Sequence, residues 1–230
     1  MNEVQKNILT SFKLLINMEL KRINKYVIYI ISLFFISLGA SLSIKANLGT
    51  SPLVCIPYVS SVITNLSVGT VSLIFTLALI ALQIIILRGD FEKRQYLQIV
   101  MGTIFSAFID VTLMLVNFLN PQSYLSQIAL LLISCVVVAF GVFLEIKTEI
   151  VYLPPDGIIV AISTVLKKEF GKVKPFVDTT MVIIAAILSI VFLGYLVGVR
   201  EGTIISALII GPIVRVLKKY LDSYIDLVIS

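Results

Sequence analysis

Six stretches of this chain are apolar over the length of a membrane-crossing helix. The hydrocarbon core of a bilayer is about 30 Å thick, and about 20 helical residues cross it. With 59% hydrophobic and only 13% charged residues, the chain carries about half the charge of a typical soluble domain. The sequence therefore predicts an all-α integral membrane protein with six transmembrane helices, at Val27–Ile44, Val68–Leu87, Tyr96–Leu119, Ile128–Ile146, Phe176–Val197 and Thr203–Leu217.

Two further apolar segments are too short to cross. They are Pro52–Asn65, which begins at the proline of LGTSP, and Pro155–Lys168, which begins at the second proline of YLPPDG. A helix of about 14 residues is about 21 Å long, which is well short of the hydrocarbon thickness. Their prolines fall in the predicted first turn, where the missing N–H is harmless. We predict two short helices that begin at these prolines.

The chain also repeats itself after about one hundred residues. GTIFSAFI from Gly102 returns as GTIISALI from Gly202, and GASLSIKANLGTSP from Gly39 aligns with GVFLEIKTEIVYLP from Gly141. Two matches in the same order at nearly the same offset are typical of an internal repeat. The predicted organisation is an N-terminal cytoplasmic or interfacial segment over 1–25, a first membrane repeat over 26–120, a second over 121–220 and a cytoplasmic tail over 221–230.

Basic residues indicate which way the two copies face. All of the 18 Lys and Arg residues except Lys45 and Arg200 fall in five groups: the N-terminal segment, RGDFEKR, Lys147, KKEFGKVK and RVLKK. These groups share one side only if both short helices are re-entrant, and the positive-inside rule makes that side cytoplasmic. Three crossings per copy then turn the second copy upside down. We predict two inverted-topology repeats (3+3) with two re-entrant helices and both termini cytoplasmic.

The segments that lead into the short helices are the candidate solute site. Non-helical chain at membrane depth is tolerated only where it is buried in protein or lines a wet cavity, and helix N-termini bind anions. Thr50 and Ser51 are expected to cap the first short helix. We expect a site between the two N-termini near the bilayer midplane, formed by Lys45, Asn47, Thr50, Ser51, Glu145, Lys147, Pro155 and Asp156.

Two acids within the long spans are candidates for coupling transport to a gradient. Asp110 lies well inside its span, where an ionised carboxylate costs about 2.5–3.5 kcal/mol on insertion scales, so it needs a partner or a proton. A structural hydrogen bond to a neighbouring helix is the alternative. Asp178 lies nearer the cytoplasmic end of its span, where pairing with Lys172 or Lys174 explains it equally well.

Residue counts argue against several chemistries. The chain has no histidine and only two cysteines, Cys55 and Cys135, which are far apart. His-dependent catalysis, His- or Cys-based metal sites and glycine-rich nucleotide loops are therefore not expected. We predict no catalytic residues, no metal, no cofactor and no enzyme activity. The net charge of +5 is explained by topology and anionic lipid, so nucleic acid is not an expected partner.

The order of the motifs resembles that of one group of bacterial membrane proteins. LGTSP, LSVGTVSLIFTLALIALQ, GTIFSAFID, PPDG and GVREGTIISALIIGP are similar to the YczE/YyaS/YitT family, closest to its YczE-like branch, over about Tyr26–Leu217. The resemblance implies a multi-pass protein of the bacterial cell (inner) membrane with a transport function.

Two functional classes remain open at this stage. One is a permease for a small polar or anionic solute, driven by a gradient. The other is a non-transporting membrane scaffold or accessory partner of another enzyme or assembly. A midplane cavity lined by Asn47, Thr50, Ser51 and Asp156 favours the permease, whereas a packed centre favours the scaffold. The expected partners are the lipid bilayer and the solute, and the sequence leaves a homodimer open.

Overall fold

The computed structural model describes residues 3–229 of the chain, and the side chains of residues 23–225. Over this range the protein is helical, and two short 3₁₀ turns, Arg88–Asp90 and Lys93–Tyr96, join the third and fourth helices. The α-helices are α1 (Glu3–Ala46), α2 (Pro52–Thr64), α3 (Val68–Leu87), α4 (Leu97–Leu115), α5 (Tyr124–Thr148), α6 (Pro154–Leu166), α7 (Phe170–Leu193) and α8 (Glu201–Ile229).

Five helical segments have the length and apolar composition of a membrane span. They are Ile23–Ala46, Val68–Asp90, Lys93–Leu115, Tyr124–Thr148 and Phe170–Leu193. This confirms the prediction of a multi-pass helical protein.

Two of the sequence predictions stay predictions. The sixth span, Thr203–Leu217, lies within α8, where Arg215 and Lys218 limit the apolar stretch, and it stays a prediction. The interfacial position expected for residues 1–22 depends on side chains outside the described ones, although the α1 backbone is continuous from Glu3.

The two short helices are present where they were predicted. α2 and α6 have 13 residues each and are about 20 Å long. Each begins with proline in its first turn, and each ends at a residue in the left-handed conformation, Asn65 (φ 59°) and Lys167 (φ 52°). A left-handed residue is a common helix stop, so both ends are defined locally.

α1 and α5 form the centre of the fold and cross at two glycines. Gly39 of α1 packs against Val138 of α5, and Gly141 of α5 packs against Ile36 of α1. The two contacts correspond under the same offset of 102 that aligns the repeats. The contact positions rise along α1 as they fall along α5, so the helices are antiparallel. The two helices thus contact each other through matching positions of the two aligned segments.

The other helices pack in pairs that repeat the same pattern. α4 packs on α1 as α8 packs on α5, and α2 packs on α7 as α6 packs on α3. α2 also packs on α3, as α6 packs on α7. These contacts sort the helices into a core bundle (α1, α4, α5, α8) and a short-helix bundle (α2, α3, α6, α7). Each bundle takes two helices from each copy.

The glycines of the repeated GTI-SA motif contact the chain at or before the short helix of the opposite copy. Gly102 of α4 lies beside the ring of Pro154, at the start of α6, and a Cβ on Gly102 would be 3.5 Å from its Cγ. Gly202 of α8 donates its backbone N–H to the carbonyl oxygen of Leu48, ahead of α2, at 2.7 Å. Both glycines of the repeated motif thus lie next to the start of a short helix.

The two bundles pack together along one pair of helices but not along the corresponding pair. α3 packs along α4, where Thr76 lies directly against Gly102. The corresponding helices α7 and α8 do not pack along each other within the described residues. Between the bundles lies a buried apolar cluster that includes Leu33, Ile36, Ala40, Val54, Met101, Phe105 and Leu153. The space between the starts of α2 and α6 is therefore packed with apolar side chains.

Candidate functional site

A cavity of about 240 Å³ lies between the two copies, at the end of the fold where α1 and α7 finish. We call it the Arg200 pocket. Its walls are Ser43, Ile44, Asn47, Gly49, Thr50 and Tyr58 from the first copy and Tyr195, Leu196, Val197, Gly198 and Arg200 from the second.

Hydrogen bonds across the Arg200 pocket tie the two copies together. Arg200 Nη1 donates to the carbonyl oxygen of Asn47 at 2.9 Å, and Nη2 donates to Glu201 Oε1 at 3.1 Å. Both the backbone N–H and the hydroxyl of Thr50 donate to the carbonyl oxygen of Gly198, at 2.8 and 3.1 Å. The two bonds of Arg200 use two of the five N–H donors of its guanidinium.

The sequence predicted part of this pocket and missed the rest. Asn47 and Thr50 line it as expected, whereas Arg200 is outside the predicted site, because an arginine next to Glu201 is expected to form a solvated pair with it. The pair does form, with side chains 42% and 41% exposed, but Arg200 also lines the cavity. Its isolation from the five basic groups was the signal that could have identified it.

Two first-copy residues differ from their expected roles. Ser51 is the N-cap residue of α2, yet its side chain makes no cap hydrogen bond. Its hydroxyl is buried and has no hydrogen-bond partner among the described residues. Thr50 does not cap α2 either, since its hydroxyl bonds to Gly198. Lys45 lies outside the pocket and donates to Asn117 Oδ1 at 2.8 Å.

The second-copy residues gather at the opposite end of the fold. Glu145, only 5% exposed, accepts the backbone N–H of Leu153, the N-cap of α6, at 2.9 Å. Lys174 Nζ lies 2.7 Å from Asp156 Oδ1 and 3.5 Å from Asp178 Oδ2. We call Glu145, Asp156, Lys174 and Asp178 the Glu145 cluster. The predicted pairing of Asp178 with Lys174 is present.

The structure does not bring all the predicted site residues into one cavity. Pro155 is buried in the first turn of α6, and Lys147 pairs with Asp222 at 2.9 Å, both at the end that holds the Glu145 cluster. Asp178 lies about 20 Å along α7 from the end that borders the Arg200 pocket. The apolar cluster at Val54 and Leu153 fills the space between the two groups.

Asp110 holds the start of α3. Its Oδ2 accepts the hydroxyl of Ser67, and its Oδ1 accepts the backbone N–H of Gly69, both at 2.7 Å. Ser67 is the N-cap of α3, so the carboxylate of α4 serves as a second cap from a neighbouring helix. This contact supports the structural alternative for Asp110, and its coupling role stays a prediction.

Replacing Asp110 is therefore expected to lower stability. Asp110→Ala leaves the Gly69 N–H without its acceptor and should cost about 1–2 kcal/mol, measured as the unfolding midpoint of the detergent-solubilised protein. Asp110→Asn, the matched control, keeps one carbonyl acceptor and should lose less. An unchanged midpoint for Asp110→Ala would show that the carboxylate does not hold α3.

The long apolar helices, the short Pro-led helices and the duplicated contacts define a multi-pass helical membrane protein. Residues 23–219 match the family of unknown function DUF6198, and the chain belongs to this family. It is 26% identical over 201 residues to the uncharacterized protein YyaS of Bacillus subtilis (strain 168), covering 87% of this chain and 95% of that protein. This confirms the YyaS-like resemblance. No solved structure matches the chain.

Proposed function

We propose that the protein is a gradient-driven transporter of a small polar or anionic solute. The observation that carries this proposal is the unequal junction of two otherwise symmetric bundles. They meet along α3 and α4 but not along α7 and α8, and the Arg200 pocket borders the link between α7 and α8. Inverted-repeat transporters work by rocking one bundle against the other around a central site. If α7 and α8 packed together while α3 and α4 separated, an exchange of the two junctions, this pocket would close and the opposite end would open.

The proposal includes the inverted layout. The antiparallel, reciprocal contacts of Gly39 and Gly141 support it, and this layout would place all five basic groups on one side, in accord with the positive-inside rule. In this arrangement α8 supplies the sixth crossing and α2 and α6 are re-entrant. Both termini are cytoplasmic in a bacterial inner membrane, the Arg200 pocket faces outward and the Glu145 cluster faces the cytoplasm.

The Glu145 cluster is the proposed place of ion or proton coupling. Glu145 is almost fully buried at the start of a short helix, and Asp178 shares Lys174 with Asp156. Buried ionisable groups in membrane helices mark proton or ion pathways. Glu145 therefore joins Asp178 and Asp110 as a candidate coupling acid.

A scaffold is the second candidate, and the apolar cluster between the short helices favours it. A packed centre needs no solute to be stable. A transporter, however, also requires a closed barrier beneath its open pocket. The two candidates differ in whether the junction between α3 and α4 ever opens, and that difference can be tested.

The test is uptake into proteoliposomes by a protein whose α3–α4 junction can be locked. A Cβ on Gly102 would lie 3.5 Å from Thr76 Oγ1, so Thr76→Cys with Gly102→Cys is within disulfide reach. Cys55 and Cys135 are replaced by alanine. Isotopically labelled small organic acids and neutral polyols are offered under an inward proton gradient.

We expect uptake of at least one solute class by the reduced protein, loss of that uptake on oxidation and recovery on reduction. The single Thr76→Cys variant, treated with the same oxidant, should keep its activity. Folded, reduced protein that takes up neither class would contradict transport and leave the scaffold.

A further inference from the structure

On the approach to the short helices, the two copies differ in charge at one position of their aligned segments. In the aligned segments GASLSIK and GVFLEIK, Glu145 of the second copy corresponds to Ser43 of the first. Glu145 reaches the N-cap of α6 and accepts its backbone N–H. Ser43 is too short for this, and its hydroxyl donates to Ala40 of its own helix at 2.7 Å. The start of α2 therefore lacks the carboxylate that the start of α6 has.

The Arg200 pocket lies where that carboxylate is missing. Ser43 lines the pocket together with Asn47 and Thr50. Ser51, next to Thr50, is only 5% exposed. Its hydroxyl is buried and has no hydrogen-bond partner among the described groups, which is rare for a buried polar atom. The guanidinium of Arg200 borders the same space. The position of the absent acid is thus bordered by a cation, and the unsatisfied hydroxyl lies next to the pocket residue Thr50 at the N-cap of α2.

We propose that the Arg200 pocket binds the carboxylate of a small organic acid, in the place that the Glu145 side chain occupies in the second copy. This deepens the proposed function, on which it rests in taking the pocket as the solute site. Guanidinium groups bind carboxylates by paired, charge-assisted hydrogen bonds, and a helix N-terminus favours the same charge.

The size and the remaining walls limit the acid further. The volume of about 240 Å³ is below the roughly 300–1,000 Å³ of sites for drug-sized ligands, so the acid is small. Tyr58 and Tyr195 provide aromatic walls for its apolar part. Glu201 is the acid that competes for Arg200, but it does not line the cavity.

The first test uses benzoate with its neutral match, benzamide, and acetate with acetamide. The unfolding midpoint of the purified full-length protein is followed as each compound is added, because a ligand that binds the folded state raises it in a saturable way. We expect both carboxylates to raise the midpoint and both amides to leave it unchanged. Inorganic phosphate and chloride at equal ionic strength separate a carboxylate site from a general anion site.

Variants at Arg200 and Ser43 test which residues of the pocket bind the carboxylate. Arg200→Gln should weaken benzoate binding at least about tenfold, since it removes a charged hydrogen-bond donor. The neighbouring Glu201→Gln, a matched control, should bind at least as well as the wild type. Ser43→Glu should supply the missing carboxylate internally and abolish the benzoate shift, while Ser43→Ala should retain it.

Equal shifts for benzoate and benzamide, a shift with phosphate alone, or full binding by Arg200→Gln would each overturn the proposal. Benzoate binding without uptake of any solute would uphold this inference and remove the transport function. Uptake of a neutral polyol that the α3–α4 disulfide blocks, without benzoate binding, would uphold the transport function and overturn the carboxylate site.

Discussion

Valine at Gly39 or at Gly141 is expected to disrupt the centre of the protein. A Cβ on Gly141 would lie 2.7 Å from Ile36 Cγ1 and 2.8 Å from the Ile36 backbone nitrogen. At Gly39 it would meet the side chain of Val138 and lie 2.8 Å from its backbone nitrogen. Backbone cannot move aside as a flexible side chain can, so α1 and α5 must separate. Overpacking of this kind costs about 1–3 kcal/mol or more.

The unfolding midpoint of each variant in detergent provides the measurement. Because the two glycines occupy equivalent places in one reciprocal contact, their substitutions should lower the midpoint by similar amounts. Gly211→Val is a suitable comparison, since no described atom lies within 4 Å of a Cβ at that position. A severe loss at one central glycine with wild-type behaviour at the other would contradict the two-fold relation of α1 and α5.

The elements of the fold that could be predicted are those with local causes. The short helices follow from proline at the start and from the length of the apolar segment, and the long helices follow from hydrophobicity over a bilayer thickness. The boundaries of α3 agree with the predicted ones, Val68–Leu87. α8 was harder to interpret, because its apolar stretch continues into a charged helix that runs to Ile229.

The candidate site was less predictable because its contacts cross between distant segments. The Asp110 cap depends on the N–H of Gly69, 41 residues away, and the Arg200 bond to Asn47 spans 153 residues. Sequence spacing grouped the polar residues near both short helices into one site. It could not show that Val54 and Leu153 would meet in an apolar cluster between them.

We also expect α7 to move until it packs on α8. Gly171 of α7 and Gly211 of α8 correspond to Gly69 and Val111 of the first copy, where Gly69 is bonded to Asp110 in the α3–α4 junction. If the junctions exchange, the two helices must approach from their separated positions to the 8–10 Å axial distance of packed helices. In the part of the chain whose side chains are described, no atom lies within 4 Å of a Cβ at Gly171 or Gly211, so labels there should be tolerated.

The most direct test of the two-junction account is therefore the distance between spin labels at Gly171→Cys and Gly211→Cys, in a background with Cys55 and Cys135 replaced by alanine. Pulsed electron resonance in lipid nanodiscs should give two populations, a long distance that fits the structure and a shorter one, with proportions that change on adding benzoate. Labels at Leu125 and Leu208, both exposed within the core bundle, should give one constant distance. A single long distance between α7 and α8 under every condition would contradict the exchange and, with it, the proposed transport mechanism.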